Sequence, residues 1–445
     1  MPSPSAIRSA TASRRIVLQQ IAFGVPLLAL GAGLSACSTR PAAAAEVLRG
    51  TASRATFTDA QARAGAAGLR QFGSAVLADL LSKQKGNLAI SPASIAIGLG
   101  MTVNGARATT AAQMLDVLRH GDLATTNAHL GAVVASLAKK AGRFTPQGAE
   151  PYEIVLTFAN SIWPQAKYPI EQPFLEAMAR WYDAPVHTVD YGQPEAARRA
   201  INGWVSEETD SRIPELIPEG ALDDKTRLVL VNTLRFVAQW ADPFQTADTR
   251  DAEFTRDDGS RVTVPMMSGS PTGSAYLSGA GWEAIRMSYH GADFAMTLIK
   301  TAEASATGQS AWLRSGGLDQ LTTAEAGHGA RIVLPRWTFR SPSRLNDTLT
   351  RLGIPDAFDD TRADFSGITR AERLKIAAVL HEAYVAVDEV GTEAAAATAV
   401  VIALSMGSAG PPREVVFDRP FLFVIHDTAT NAPLFVGRVA DPSAT

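Results

Sequence analysis

Val387-Asp388-Glu389-Val390-Gly391-Thr392-Glu393-Ala394-Ala395-Ala396-Ala397-Thr398-Ala399-Val400-Val401-Ile402-Ala403-Leu404-Ser405-Met406 begins as an apolar strand and runs into a Gly/Ser/Pro loop. From Gly391 on its side chains are small. Laid out as a strand, the run places Thr392, Ala394, Ala396, Thr398, Val400 and Ile402 on one face and its only charge, Glu393, on the other. A segment of this kind can slide between two strands and bury one face, because bulky side chains clash there and charged ones are stranded without a partner. Ala is also the best helix former, so composition by itself leaves a poly-Ala helix or a flexible loop open.

Outward from this segment, residues 154–162, 227–236, 294–300, 331–339 and 378–388 read as strands, several of them apolar on both faces. Residues 60–81 carry apolar positions at helical spacing (Ala64, Ala67, Leu69, Phe72, Val76, Leu77, Leu80) and end at 83–87. A short buried strand at 87–90 leads to a second helix starting at Ser91-Pro92, with Ser as the cap and Pro in the first turn. Helices and strands mix without a strict βαβ alternation, which predicts an α+β protein with large, partly antiparallel sheets. No linker or internal repeat divides the chain after Ala60, so residues 59–445 read as one domain.

Composition is globular, 46% hydrophobic and 19% charged. Taking Arg8, Arg14 and Arg15 of residues 1–36 from the 41 Lys+Arg leaves 38 against 44 Asp+Glu, a balance that argues against nucleic acid as a partner. The seven His stand apart, at 120, 129, 187, 290, 328, 381 and 426, with no metal-ligand spacing, and no cofactor or metal is expected. Neither a Gly-x-Ser-x-Gly elbow nor a phosphate-binding Gly-rich loop occurs. Ser136-x-x-Lys139 with Lys300-Thr301-Ala302 lacks the third motif of the serine penicillin-binding enzymes, and an enzyme is not expected.

At the N-terminus, Ser13-Arg14-Arg15-Ile16-Val17-Leu18 precedes an apolar stretch from Ile21 to Ala36 that contains Gly24, Pro26, Gly31 and Gly33. It is short of the ~20 residues a membrane-spanning helix needs. Residues 1–36 read as a twin-arginine signal peptide. Leu34-Ser35-Ala36-Cys37 is similar to the lipobox of bacterial lipoproteins, and Cys37, the only Cys in the chain, is the expected lipidation site. Residues 37–58 read as a flexible tether, and the protein as exported, periplasmic or at the cell surface, held to a membrane through its lipid.

Glu389 to Thr398 resembles, almost residue for residue, the hinge of inhibitory serpins. The resemblance runs in order through Asn87-Leu88-Ala89-Ile90-Ser91-Pro92-Ala93-Ser94-Ile95, Asn104-Gly105-Ala106, Ile201-Asn202-Gly203-Trp204, Leu230-Val231-Asn232-Thr233, Leu334-Pro335-Arg336, Ala363-Asp364-Phe365-Ser366-Gly367, His381-Glu382-Ala383 and Phe417-Asp418-Arg419-Pro420-Phe421, and ends in Pro433-Leu434-Phe435-Val436-Gly437-Arg438. It implies a serpin fold, with a large mixed central β-sheet of five strands, further sheets, surrounding helices and an exposed reactive-centre loop. It also implies a monomer that traps a serine or cysteine protease as a covalent acyl-enzyme: once the loop is cut, the segment from Gly391 inserts as a new central strand.

By the family's spacing the cut falls between Ser405 and Met406, within a bracket from Leu404 to Gly407. A hinge of Glu389, Gly391, Thr392, Glu393, Ala394, Ala395, Ala396, Ala397 and Thr398 follows from the same likeness. So does a polar cluster of Ser91, Ser94, Asn232 and His381 under the sheet opening, with Trp240 near the entry point. No Lys or Arg lies between Lys375 and Arg413, which points to elastase-, subtilisin- or chymotrypsin-like targets rather than trypsin-like ones. The rival expectation is a non-inhibitory member serving as a binding or structural lipoprotein.

Overall fold

The computed structural model describes residues 45–147, 151–393 and 413–444. Local chemistry sets the first elements. Thr58 and Gln61 form a reciprocal capping box that starts helix Asp59–Leu81. The Ser91 hydroxyl accepts from the Ser94 N–H and starts helix Pro92–Val103, every residue of which is buried. That helix can run through the core because it is built from small and apolar residues.

The largest sheet has the order Trp337–Arg344, Ala378–Val387, Gly391–Thr392, Leu228–Gln239, Tyr152–Pro164, Gly142–Phe144. Most of its pairs are antiparallel, while Ala378–Val387 and Leu228–Gln239 run parallel where they meet. A second six-stranded sheet joins Leu88–Ile90, Pro433–Val439, Phe421–Asp427, Phe294–Thr301, Trp282–Ser288 and Ala275–Gly279; a four-stranded sheet joins Glu414–Val416, Arg331–Pro335, Arg261–Gly269 and Arg250–Thr255. The main hydrophobic core lies between the two large sheets and the helices Asp59–Leu81 and Pro92–Val103. The expected α+β architecture with a large mixed sheet is what the chain adopts.

Two expectations change. The single strand at 331–339 is two, Arg331–Pro335 and Trp337–Arg344, in different sheets, and the chain passes from one to the other at Arg336, whose side chain makes an ion pair described below. The expected tether is docked on the body from Glu46 onward, while Cys37 and the rest of 37–44 lie outside the described residues. Glu46–Leu48 pairs antiparallel with Val186–Thr188. The Glu176 carboxylate accepts from the N–H of Thr51 at 3.0 Å and of Ala52 at 2.5 Å. Phe57 packs its ring 6.3 Å from that of Trp181. At Gly50 a Cβ would sit 2.2 Å from the Leu175 carbonyl oxygen, so only glycine passes there.

This strap has a measurable consequence. A chain starting at Thr58 keeps the helix cap but loses the strand ladder and the Phe57 contact, together about 2–4 kcal/mol. Its melting temperature is expected to fall by roughly 4–10 °C; a change of less than a degree would show that the strap is not structural.

Candidate functional site

The two parallel strands are zipped together at one end and held apart at the other. Ala378–Ala383 pair with Val229–Leu234. Beyond that point Gly391–Thr392 enters as a wedge, with Thr392 opposite Val387 on one side and Ala238 on the other. The wedge needs glycine first, since a Cβ at Gly391 would lie 2.2 Å from the Ala238 carbonyl oxygen. Thr392, 2% exposed, shares a 2.7 Å hydroxyl bond with Tyr289. It is thus buried on the face the alternation assigned to it. Tyr289 in turn stacks on Trp240, at 4.5 Å and 12°. Trp240 ties the segment down twice: its indole N–H donates to the Asp388 carbonyl at 3.0 Å and its backbone N–H to that of Val390 at 2.8 Å.

Glu389 anchors the base of the loop. Its carboxylate accepts from Thr249 Oγ1 at 2.5 Å and Arg336 Nε at 2.7 Å. Burial opposes its charge, yet the bonds from Thr249 and Arg336 outweigh that and hold the carboxyl below its ordinary range. Glu393 is the opposite case. The chain turns out of the sheet there, in the left-handed region at φ 52°, and the carboxylate is buried 3.4 Å from Arg212 Nε and 4.0 Å from Arg235 Nε. Burial, with a smaller push from Asp210, wins over the two arginines and raises its pKa to about 7.

The zipped end holds the polar cluster. The Ser91 N–H donates to His381 Nε2 at 3.0 Å, and His381 Nδ1 lies 2.9 Å from the Asn232 carbonyl oxygen. Both bonds can be made only by a neutral ring protonated at Nδ1, and burial pushes the His381 pKa down to about 4. Ser94 Oγ donates to Asn160 Oδ1 at 2.5 Å and lies 3.1 Å from the Thr233 carbonyl oxygen.

Ser91, Ser94, Asn232 and His381 therefore do meet, but the Asn232 side chain makes no hydrogen bond and serves through its backbone alone. Its amide is pressed against helix Pro92–Val103 at Gly98, where a Cβ would fall 1.7 Å from Oδ1. Asn160, opposite Asn232 in the ladder, supplies the side-chain acceptor instead. Neither Asn160 nor Tyr289 stands in a recognisable motif; only the strand register brings them in. Ala394, Ala395, Ala396, Ala397, Thr398, Leu404, Ser405 and Met406 lie outside the described residues.

Replacing Tyr289 by Phe removes the Thr392 partner and leaves the ring stack in place, a loss of about 1 kcal/mol. Hydrogen exchange at the Gly391 and Thr392 amides is expected to speed up about fivefold; an unchanged rate would mean that the hydroxyl pair does not hold the wedge.

Comparison with known proteins agrees with this geometry. The family described as Serpin (serine protease inhibitor) matches residues 67–442. Mouse leukocyte elastase inhibitor A is 32% identical over 81% of this chain and 94% of its own length. A serpin-like protein of Thermococcus kodakarensis is 33% identical over 81% and 82%. Among solved structures, the thermophilic serpin tengpin in its native state superposes with a TM-score of 0.73, at 25% identity, over 89% of this chain and all of that one. Human thyroxine-binding globulin in complex with thyroxine shares the fold at a TM-score of 0.74 and 24% identity, over 86% of this chain and 99% of that one. By sequence, by fold and by the wedge between its parallel strands, the chain belongs to the serpin family of serine protease inhibitors.

Proposed function

We propose that the chain is a suicide substrate for serine proteases, with elastase-, subtilisin- or chymotrypsin-like enzymes as its targets. The observation that carries this reading is the wedge: Gly391 and Thr392 already occupy the first two places of the strand that insertion would extend. The protease's nucleophile attacks the carbonyl carbon of the residue before the cut, the peptide bond to the next residue breaks, and the new amine leaves with the proton. The freed hinge side then unzips Ala378–Ala383 from Val229–Leu234 and replaces that one ladder by two. About a dozen inserted residues at ~1 kcal/mol net per hydrogen bond, with one buried face, give on the order of 10 kcal/mol. That is comparable to a whole domain's stability, enough to drag an attached protease across the molecule and distort it.

The absence of Lys and Arg between Lys375 and Arg413 supports the target class, as do relatives that carry the name leukocyte elastase inhibitor. Incubation with elastase, subtilisin, chymotrypsin and trypsin should yield an SDS-resistant covalent complex with one of the first three, and mass spectrometry of the released peptide fixes the bond within Leu404–Gly407. Rapid cleavage of the loop without any complex would leave the non-inhibitory reading in its place. Lipidation of Cys37, export and membrane attachment are part of the same proposal. Cys37→Ser should release the protein from the membrane fraction, and retention there would remove the lipid anchor.

A further inference from the structure

Lys140, just past the end of helix Leu123–Ala138, reaches the last residue of strand Phe421–Asp427, and its Nζ is in contact with Asp427 Oδ1. The Asp427 side chain is fully buried and that of Lys140 is 16% exposed. The other carboxylate oxygen faces a turn: Oδ2 accepts from the Thr430 N–H at 2.9 Å and from the Thr430 hydroxyl at 2.5 Å. Backbone bonds fix that turn, with the Asp427 N–H donating to the Ala432 carbonyl and the Asn431 N–H to the Asp427 carbonyl. A second acid stands on the amine side. Asp293 Oδ1 lies 3.8 Å from the same Nζ, and the Thr428 N–H, donating to the Asp293 carbonyl at 2.9 Å, keeps that residue beside the turn.

An ion pair requires a cation and an anion and nothing more. Here an amine touches one oxygen of a buried carboxyl, two donors from a fixed turn hold the other oxygen, and a second carboxylate faces the amine. These are the parts of an acyl transfer: a nucleophile, an electrophile, donors where an oxyanion would develop, and a group to carry protons. Held in contact, the two reacting groups also gain the effective molarity of about 10⁵–10⁸ M that well-oriented intramolecular pairs reach.

We propose that Lys140 and Asp427 join in an intramolecular isopeptide bond, a covalent staple formed once the chain has folded. The ammonium first passes a proton to Oδ1, which leaves an amine and a carboxylic acid, two neutral groups in place of two buried charges. Nζ then adds to Cγ, the negative charge collects on Oδ2 under the Thr430 donors, and Asp293 takes the proton that Nζ sheds. When the Cγ–Oδ1 bond breaks, Asp293 returns that proton and Oδ1 leaves as water. One ammonium and one carboxylate become one amide and one water, and no other reactant is consumed.

The bond ties together residues 287 apart in a chain whose only Cys is Cys37, and so supplies a cross-link that no intramolecular disulfide can give. It touches neither Ala378–Val387 nor Leu228–Gln239, the strands that part on insertion, so it stands or falls independently of the inhibitor reading.

The test is the intact mass of the full chain against that of Lys140→Arg made in the same way, so that any processing at the N-terminus cancels. Arginine keeps the cation but cannot form this amide. Beyond the Lys-to-Arg difference, the natural sequence should be lighter by one water, and it should run faster on a denaturing gel because its loop is closed. Peptide mapping should find the segments around Lys140 and Asp427 as one branched peptide, with no tryptic cut after Lys140. Asp293→Asn should slow the loss of water about 10²-fold in freshly synthesised chain. A natural chain that carries its full sequence mass overturns the proposal and leaves a plain ion pair; a missing water mapped to any other residues overturns it equally. If Asp293→Asn loses water as fast as the natural sequence, the proton relay is overturned and the bond stands.

Discussion

Under the proposed mechanism, Thr392→Arg is expected to turn an inhibitor into a substrate: the loop is still cut, but the SDS-resistant complex falls at least a hundredfold. Thr392 is 2% exposed, enclosed between two strands and bonded to Tyr289. A guanidinium cannot occupy that space, so the wedge leaves the sheet in the intact protein. During insertion the same position must pass into the core, where an unpaired cation costs about 3–5 kcal/mol. In the mechanism proposed above, trapping is a race between insertion and hydrolysis of the acyl-enzyme, and ~3 kcal/mol on the insertion barrier is a factor of about 150. Densitometry of complex against cleaved chain reads the ratio directly. Thr392→Ser, which keeps the hydroxyl for Tyr289, should trap as the natural sequence does. A Thr392→Arg variant that traps equally well would show that insertion at this position is not the mechanism.

Much of this site was legible in the sequence because the hinge is constrained by chemistry that leaves a mark on composition. The Ser-Pro helix start is such a local signal and appears where expected, and of the small-residue face the described residues include Thr392, which is buried as the alternation assigned it. What was hidden is what register decides. Asn160 and Asn232 are the same residue type in two apolar strands, and only the ladder that sets them opposite each other reveals which amide reaches Ser94. Tyr289 follows strand Trp282–Ser288, far in sequence from the hinge, and nothing local announces that it lies under Thr392. The strap was misread for a different reason: residues 45–57 are poor in apolar periodicity because they are held by backbone pairing and by Glu176, which leave no hydrophobic pattern.

The position of the wedge is expected to depend on pH through Glu393. Docked, its carboxyl has a pKa of about 7; released into water it returns to its ordinary value of 4.5. Below 4.5 it is neutral in both places and docking is at its strongest. Between 4.5 and 7 the docked form holds a proton that the released form has lost, so docking weakens by up to tenfold per pH unit. Above 7 both forms are ionised and the effect levels off. From pH 5 to pH 8 the population with the hinge released should therefore rise on the order of 10²-fold.

Hydrogen exchange at the Gly391 and Thr392 amides, corrected for the intrinsic pH dependence of exchange, measures that population. Glu393→Gln removes the titration but keeps the shape, so its corrected rate should be flat over the same range. This comparison also separates Glu393 from the charges that face it, Arg212, Arg235 and Asp210, which are present in both proteins. A flat profile in the natural sequence would mean that the two arginines, 3.4 and 4.0 Å away, compensate the buried carboxylate fully. If instead the wild-type profile falls with pH, the ion pair holds the hinge down and Glu393 is a clasp that favours the charged form. The rising profile is the one the geometry favours, because Glu393 Oε2 is buried without a hydrogen bond while Arg212 is half in water, where its charge is screened. The hinge would then be held most loosely at neutral and alkaline pH, so the first step of insertion would be easiest there.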